Sequence, residues 1–310
     1  MKILITGITG FVGSNLVKYF GSLSNFTIYG LDIVNPEMDN VEAIYGWSEF
    51  DKIPKIDAII HLAGKAHYTS YTSEEQEYID INYGLTQKIY DYFLESKTKH
   101  FYLMSSVAAV TNQVDGILLE ETPPNPTTPY GKSKRMAENY LLAKLPEDEK
   151  FVYIFRPCMI YGPQNKGNLN LLFNIVSKGI PWPLGAYNNQ RSFFSVNNLS
   201  FVFNEFLSNR YPSGIYQLAD DKPISTNELI EIIASVIDKK IRILYIPKKI
   251  INFIAKIGTI FKLPLNMERL QKLTENFIVS NEKLKKTINK PLPISTLDGI
   301  RSTIRTFKLK

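Results

Sequence analysis

The chain has 310 residues, 44% of them hydrophobic and 21% charged, with a formal net charge of +6. This composition excludes a fully disordered or fibrous protein, and the length suffices for about two domains. The charge is uneven, since residues 239–310 carry 17 basic and 4 acidic side chains whereas residues 1–238 carry 19 basic and 26 acidic ones. The basic region predicts either an anionic partner, such as a phosphorylated ligand, a membrane surface or a nucleic acid, or an ordinary solvated surface.

The single cysteine, Cys158, excludes a disulfide within the chain and zinc sites built from several cysteines. It favours a reducing compartment, and we expect the cytoplasm. The chain begins MKILITG without the apolar core of a signal peptide, and no apolar stretch reaches the ~18 residues needed to span a bilayer. We expect no metal site, because His61, His67 and His100 lack metal-ligand spacing.

The first half of the chain alternates short β-branched runs with longer helical segments. Strands are predicted at 2–6, 27–33, 58–62, 101–104 and 152–155, and helices at 15–22, 74–96 and 130–145. This alternation is typical of an α/β protein with a doubly wound parallel sheet.

Beyond Pro157 the chain becomes rich in proline, glycine and asparagine. Ordered segments follow at 192–208 and 214–218, and the last quarter is helical and basic. We therefore predict a smaller, mostly helical second domain that is interleaved with the first. Its segments are predicted at 166–191 and 221–310, which assigns 1–165 and 192–220 to the first domain.

A glycine-rich turn joins the first strand to the first helix. Gly7, Gly10 and Gly13 have the spacing GxxGxxG, which suits a tight bend, close approach of the backbone to a pyrophosphate, and close packing of helix on strand. The start of the helix adds unpaired N–H groups and a positive dipole end. Glycines also end strands for conformational reasons alone, so the position between strand and helix supports the phosphate interpretation.

Asp32 follows the second strand, nineteen residues beyond Gly13. A carboxylate there can accept hydrogen bonds from both adenosine ribose hydroxyls and would repel a 2′-phosphate, which favours NAD over NADP. The alternative is an ordinary turn aspartate.

Tyr130 and Lys134 lie four residues apart at the start of a predicted helix, and therefore on one helical face. The ammonium group is expected to lower the phenol pKa, so that Tyr130 can exchange a proton with a sugar or alcohol hydroxyl. An upstream strand ends in Ser105 and Ser106, where a serine could hydrogen-bond the reacting oxygen.

These motifs resemble the extended short-chain dehydrogenase/reductase family, and within it the NAD-dependent nucleotide-sugar epimerase/dehydratase group. The resemblance covers nearly the whole chain. It also rests on residues 61–64 (HLAG), Asn82, residues 156–157 and 161–163 (RP and YGP), and Arg191 before residues 192–196 (SFFSV).

The resemblance implies a Rossmann fold, an NAD cofactor and roles for individual residues. Tyr130 would be the catalytic acid/base, Lys134 its partner and Ser106 a hydrogen-bond donor to the substrate, while Ser105 would pack. Asn168 and Arg191 would contact the substrate, and a guanidinium suits a diphosphate; an ordinary surface arginine is the alternative at 191. The implied cofactor-binding residues are Gly7, Gly10, Phe11, Val12, Gly13, Asp32, Leu62, Ala63, Gly64, Asn82, Tyr130, Lys134 and Pro157.

The implied reaction is 4-epimerisation of a UDP-hexose or UDP-N-acetylhexosamine, by removal and return of a hydride at sugar carbon 4 through a 4-keto intermediate. The alternatives are an NAD(P)H-dependent 4-ketoreductase of a UDP- or dTDP-deoxy(amino)sugar and a 4-epimerase of a polyprenyl-diphosphate-linked amino sugar. Dehydration is disfavoured, because Val107 and Ala108 stand where the family's dehydratases have an Asp-Glu pair. A homodimer through the helices predicted at 74–96 and 130–145 is also implied.

The segment 247–256 (PKKIINFIAK) predicts a basic amphipathic helix. We expect it to bury its apolar face in the smaller domain and to hold its lysines outside; weak contact with an anionic membrane surface is the alternative. The basic region carries no nucleic-acid-binding signature. We therefore expect a nucleotide-sugar or lipid-diphosphate substrate as its anion, and no nucleic acid.

Overall fold

The computed structural model describes residues 1–66, 75–146, 149–165, 168–261, 263 and 265–307. The strands within these residues are, in chain order, β1 (Lys2–Thr6), β2 (Thr27–Leu31), β3 (Ala43–Tyr45), β4 (Ala58–His61), β5 (His100–Met104), β6 (Ile117–Leu118), β7 (Phe151–Pro157), β8 (Met159–Tyr161), β9 (Phe193–Ser195), β10 (Gly214–Leu218) and β11 (Ile278–Val279). The main sheet is parallel throughout, in the order β10-β7-β5-β4-β1-β2-β3. This topology confirms the predicted doubly wound α/β fold.

The helices within the described residues are α1 (Phe11–Gly21), α2 (Glu75–Tyr78), α3 (Leu85–Glu95), α4 (Pro129–Ala143), α5 (Asn168–Ser177), α6 (Val196–Ser208), α7 (Thr226–Val236), α8 (Lys248–Ile260), α9 (Met267–Thr274), α10 (Glu282–Ile288) and α11 (Thr296–Arg305). A π-helical segment, Ile79–Gly84, joins α2 to α3, and short 3₁₀ turns lie at Phe50–Lys52 and Val107–Ala109. No helix of these residues is long and apolar enough to cross a bilayer.

Both faces of the main sheet are covered, which explains why its strands are continuous apolar runs. Alternate strand residues such as Leu4 and Phe101 pack with α3 and α4 on one face. Their neighbours, such as Ile3 and Tyr102, pack with α1 and α6 on the other. A separate apolar cluster forms around Trp182, with residues of α5, α7, α8 and α11.

The sheet positions the candidate site by its strand order. The chain runs outward from β1 in one direction and from β4 in the other, so the order reverses between these two neighbours. In open parallel sheets, ligands bind in the crevice that this reversal leaves at the carboxyl ends of the strands. The glycine turn after β1 and residues 62–64 after β4 both lie at that end.

Three predicted boundaries were wrong for local reasons. The first helix begins at Phe11 rather than at residue 15, because Gly13 belongs to its first turn. The second strand ends at Leu31 rather than at residue 33, because the Asp32 carboxylate accepts a hydrogen bond from the Ile33 amide at 2.7 Å. The helix predicted as continuous to residue 96 contains the π segment, in which the buried side chain of Asn82 bonds to the neighbouring loop.

Candidate active site

The glycine turn after β1 brings backbone close to backbone. Gly7 has a φ of +67°, and an added Cβ there would lie 2.9 Å from the Cα of Ala63. An added Cβ on Gly13 would lie 2.4 Å from the Ile8 carbonyl oxygen. Gly10 precedes α1 without a side-chain cap, so the first-turn amides keep their donors for a ligand. The other predicted cofactor residues beside this turn are partly buried: Phe11, Val12 and Leu62.

The Asp32 carboxylate is fastened to the same turn. Its Oδ2 accepts hydrogen bonds from the Thr9 amide at 3.0 Å and from the Thr9 hydroxyl at 2.9 Å. Asp32 is mostly buried, directly after β2. The structure therefore places the predicted ribose ligand next to the predicted phosphate cradle, and Thr9 is a link that the sequence analysis did not single out.

Tyr130 and Lys134 lie in the first turns of α4, which Thr128 caps by accepting a hydrogen bond from the Gly131 amide at 3.1 Å. Lys134 is buried and donates to the Met104 carbonyl at 2.8 Å, at the carboxyl end of β5. Burial lowers the pKa of this lysine to about 8. The ammonium group thus points to the sheet end at which the glycine turn lies.

The prediction that Lys134 lowers the pKa of Tyr130 was wrong. Burial raises the pKa of Tyr130, and the hydrogen bond with Ser106 only partly offsets this rise. Tyr78 raises this pKa further, and the Lys134 ammonium donates its hydrogen bond to the Met104 carbonyl. A phenol with a raised pKa holds its proton at neutral pH.

The two serines after β5 have different surroundings. Ser106 bonds to Tyr130, and its hydroxyl also accepts a hydrogen bond from the Ala108 amide at 3.1 Å. Ser105 is buried and donates to Glu138 Oε1 at 2.6 Å. The structure thus places Ser106 beside the phenol and Ser105 behind the site.

Asn82 and Gly64 form the floor beside Lys134. The Asn82 amide accepts from the Lys65 N–H at 2.8 Å and donates to the Ser133 hydroxyl at 2.9 Å. An added Cβ on Gly64 would lie 2.7 Å from Asn82 Oδ1 and 3.1 Å from the Lys134 ammonium nitrogen. Only a glycine leaves this space next to the ammonium group open.

A chain of hydrogen bonds behind the glycine turn fixes the histidine of the HLAG segment. Thr86 donates to the Asn82 carbonyl at 2.6 Å, so it accepts from Nε2 of His61, 2.9 Å away. The Thr6 hydroxyl accepts from the Ala63 amide at 3.1 Å and donates to His61 Nδ1 at 2.7 Å. Burial lowers the pKa of His61 to about 3, which keeps the ring neutral. Thr6 and Thr86 escaped the sequence analysis, although each lies next to or one helical turn from a predicted residue.

Arg191 lies just before β9 and contacts two later segments of the chain. Its backbone pairs with Ile224, and its guanidinium donates to the Lys272 carbonyl and pairs with Glu275 at 3.4 Å. Burial raises the pKa of the Cys158 thiol, and Arg191 is among the groups that lower it in part. The guanidinium is therefore close to the end of β7, where Pro157 is the last residue.

Two residues named from the sequence cannot be placed in full. Asn168 is the first residue of α5, and its side chain lies outside the described part of the structure. His67 also lies outside the described residues.

A buried ionic cluster, which the sequence analysis missed, supports the site from behind. Arg156 donates to the two oxygens of Glu138 at 2.8 and 2.7 Å, and Arg135 donates to one of them at 3.1 Å. With the hydrogen bond from Ser105, the carboxylate is enclosed by donors. The cluster ties α4 to β5 and β7.

Comparison with known proteins agrees with this arrangement. Residues 3–217 match the model of the NAD dependent epimerase/dehydratase family. The chain is 28% identical to the UDP-glucose 4-epimerase of Vibrio cholerae, over 99% of this chain and 95% of the relative. It is 27% identical to the N-acetyl-alpha-D-glucosaminyl-diphospho-ditrans,octacis-undecaprenol 4-epimerase of Escherichia coli O157:H7, over 79% of this chain and 75% of the relative. The UDP-glucuronic acid 4-epimerase from Bacillus cereus in complex with NAD shares the fold, with a TM-score of 0.75, 18% identity and coverage of 99% and 98%.

Proposed function

Because the chain belongs to the NAD-dependent epimerase/dehydratase family, we propose that it is an NAD-dependent 4-epimerase of a UDP-hexose or UDP-N-acetylhexosamine. The observation that carries this proposal is the placement of Tyr130, Ser106 and Lys134 at the sheet end that also holds the glycine turn. Two relatives that match most of the chain are named as 4-epimerases, which supports the same reaction class.

The residues at the carboxyl ends of the strands fit NAD. The turn of Gly7, Gly10 and Gly13 would hold the pyrophosphate, since any Cβ on Gly7 or Gly13 would collide with backbone. Asp32 would accept the adenosine ribose hydroxyls, and Lys134 would donate to the second ribose through the space above Gly64. When bound, NAD supplies a hydride acceptor that takes a hydride from sugar carbon 4 and returns it to the opposite face through a 4-keto sugar.

Tyr130 would remove the proton of the sugar 4-hydroxyl and later return it. Its raised pKa means that the phenol needs an additional cation beside it before it can act as a base at neutral pH. Oxidised NAD would supply a positive charge of this kind when bound. Ser106 bonds to the phenol and would hold the same sugar oxygen, so both groups meet at the reacting atom.

Arg191 would bind the diphosphate of the substrate, assisted by Asn168. The ion pair of Arg191 with Glu275 is long, at 3.4 Å. The two phosphates would replace this weak contact with a charge-assisted bidentate one. This contact would place the sugar between Arg191 and Tyr130.

The experiment is turnover without added cofactor. The purified protein should retain NAD, released by acid and identified by absorbance, and should interconvert UDP-glucose and UDP-galactose or their N-acetylated forms. A protein that consumes NADH stoichiometrically with a 4-keto sugar nucleotide is a ketoreductase and would overturn the proposal. So would a protein that binds NAD but converts no 4-hydroxyl sugar.

The chain would also form a homodimer through the outer faces of α3 and α4. Polar contacts join these helices: Tyr140 of α4 donates to Asp91 of α3 at 2.7 Å, and Lys144, directly after α4, pairs with the same carboxylate at 3.2 Å. Sedimentation velocity would test this state, and a monomer at all concentrations would exclude it.

A further inference from the structure

Helix α8 exposes an apolar surface that the rest of the described chain leaves uncovered. One side of the helix is buried, with Ile251, Ala255 and Gly258, and the first two of these belong to the apolar cluster around Trp182. The other side is apolar as well, and we call these side chains the α8 stripe. They are exposed to 50, 65, 43, 74 and 70%, in the order Ile250, Phe253, Ile254, Ile260 and Phe261. The prediction that α8 buries its apolar face was therefore correct for only one of its two apolar sides.

The segment that contains the stripe carries charge of a single sign. Residues 239–267 contain seven basic side chains and no acidic one. On α8 itself, Lys248, Lys249 and Lys256 are exposed, and none of the three forms an ion pair with another described residue. An apolar stripe bordered by unpaired lysines matches a surface that is apolar inside and anionic at its rim.

We propose that the α8 stripe docks on an anionic lipid bilayer. The phenylalanines and isoleucines would enter the boundary between headgroups and acyl chains, while the lysines would extend to lipid phosphates. A second copy of the chain fits this surface poorly, because two such stripes would bring two unbalanced positive charge sets together. The bilayer satisfies the apolar and the charged part of the surface at once.

A series of contacts connects α8 to Arg191, the proposed substrate-binding residue. Asn252 of α8 accepts a hydrogen bond from the Tyr187 hydroxyl at 3.0 Å, and Lys248 lies 5.4 Å from the Tyr187 ring centre. Helix α8 packs on α9, whose Lys272 carbonyl accepts from Arg191. Docking does not depend on the proposed epimerase reaction. Its use to bring Arg191 to a sugar on a lipid diphosphate would belong to the alternative function, 4-epimerisation of a polyprenyl-diphosphate-linked amino sugar.

The test is co-sedimentation of the full chain with phosphatidylcholine vesicles, with and without phosphatidylglycerol. We expect binding only to the phosphatidylglycerol vesicles, and loss of binding at high salt. Phe253→Ser with Ile254→Ser should weaken binding about tenfold or more. Lys249→Ala and Lys256→Ala should each weaken it about fivefold. The matched control is Ile117→Ser with Leu119→Ser, which removes two exposed apolar side chains elsewhere and should leave binding unchanged.

Each variant is first compared with the wild-type chain in thermal unfolding and in turnover of a UDP-sugar without vesicles, which separates docking from folding and from catalysis. Three outcomes would overturn the proposal: no binding to either vesicle, equal binding to both vesicles without a salt effect, or equal loss in the control variant. A dimer that Phe253→Ser with Ile254→Ser dissolves, without vesicle binding by the wild-type chain, would assign the stripe to a second copy instead. If docking holds and no epimerase activity is found, the proposed function fails while the docking surface stands.

Discussion

The face of α4 that carries Tyr130 and Lys134 continues one turn further to Glu138. The two ends of this face differ in how their charges are balanced. At the end with the proposed catalytic residues, called the catalytic end below, the buried ammonium of Lys134 donates to a neutral carbonyl, and burial lowers its pKa to about 8. At the anchor end, the buried carboxylate of Glu138 accepts hydrogen bonds from Arg156, Arg135 and Ser105.

The difference distinguishes a buried charge that lacks an oppositely charged hydrogen-bond partner, Lys134, from one that is fully paired within the protein, Glu138. Glu138 has its hydrogen-bonding capacity filled by protein groups, so removing it leaves buried partners unpaired. Lys134 has no buried carboxylate of comparable closeness, although Glu138 raises its pKa in part. A ligand with hydroxyl groups beside Lys134 would therefore give the ammonium group further hydrogen-bond acceptors. The Glu138 carboxylate has no room for a further donor, because both of its oxygens are already taken.

The largest effect is expected from Tyr130→Phe at the catalytic end. Loss of the phenol oxygen removes the proposed acid/base, so kcat should fall by about 10²–10⁴-fold while NAD binding and thermal unfolding stay close to wild type. Tyr140→Phe is the control, since it removes a phenol from the same helix whose partner is Asp91. Turnover by Tyr130→Phe at the wild-type rate would refute the assignment.

At the anchor end, Glu138→Gln should reduce the free energy of unfolding by about 3–5 kcal/mol, because it leaves the buried guanidinium of Arg156 without a counter-charge. Chemical denaturation measures this change. Glu75→Gln is the matched control: its partner Lys132 is also on α4, but the pair is exposed and should contribute less than about 1 kcal/mol. Equal effects of the two substitutions on the free energy of unfolding would contradict the distinction between the buried ion pair of Glu138 and the exposed pair of Glu75.

The adjacent serines allow the sharpest contrast between the two ends. Ser106→Ala should lower kcat by about 10–100-fold with little change in stability, because it removes a donor to the reacting oxygen. Ser105→Ala should do the opposite, with little change in kcat per folded molecule. It removes one of the two donors to Glu138 Oε1, which then accepts only from Arg156, and the expected stability loss is about 1–3 kcal/mol. Exchanged outcomes would show that Ser105 is the serine of the site.

The catalytic end could largely be anticipated from the sequence and the anchor end could not. Glycines, an acid after the second strand and a Tyr–Lys pair one turn apart are local patterns with a fixed physical use, and the fold brings them to one sheet edge. Arg135 lies three residues before Glu138 on the same helix, but the other two partners, Arg156 and Ser105, come from distant segments that no periodicity links to α4. The pKa of Tyr130 also escaped prediction, because it depends on burial and on where the lysine points. The exposure of α8 escaped for a similar reason, since an apolar periodicity does not tell whether a face is covered.

The smallest effect, and the one that tests the charge balance directly, is the pH dependence of stability. The folded pKa of Lys134 is about 8, below its ordinary value of 10.5, so between these values the unfolded chain binds more protons than the folded one. The free energy of unfolding contributed by this group must therefore rise with pH through that window, by at most about 1.4 kcal/mol per pH unit.

Urea unfolding of the wild-type chain and of Lys134→Met, both freed of NAD, at several pH values from about 8 to about 9.5, isolates this contribution, because the other titrating groups are common to both. The difference in unfolding free energy should shift towards the wild type as the pH rises. Parallel curves would mean that Lys134 is balanced in the folded state as completely as Glu138 is, and the contrast between the two ends of α4 would not be one of charge. If the contrast holds, saturating NAD should flatten the wild-type slope, because ribose hydroxyls that accept from the ammonium group raise its pKa towards the ordinary value.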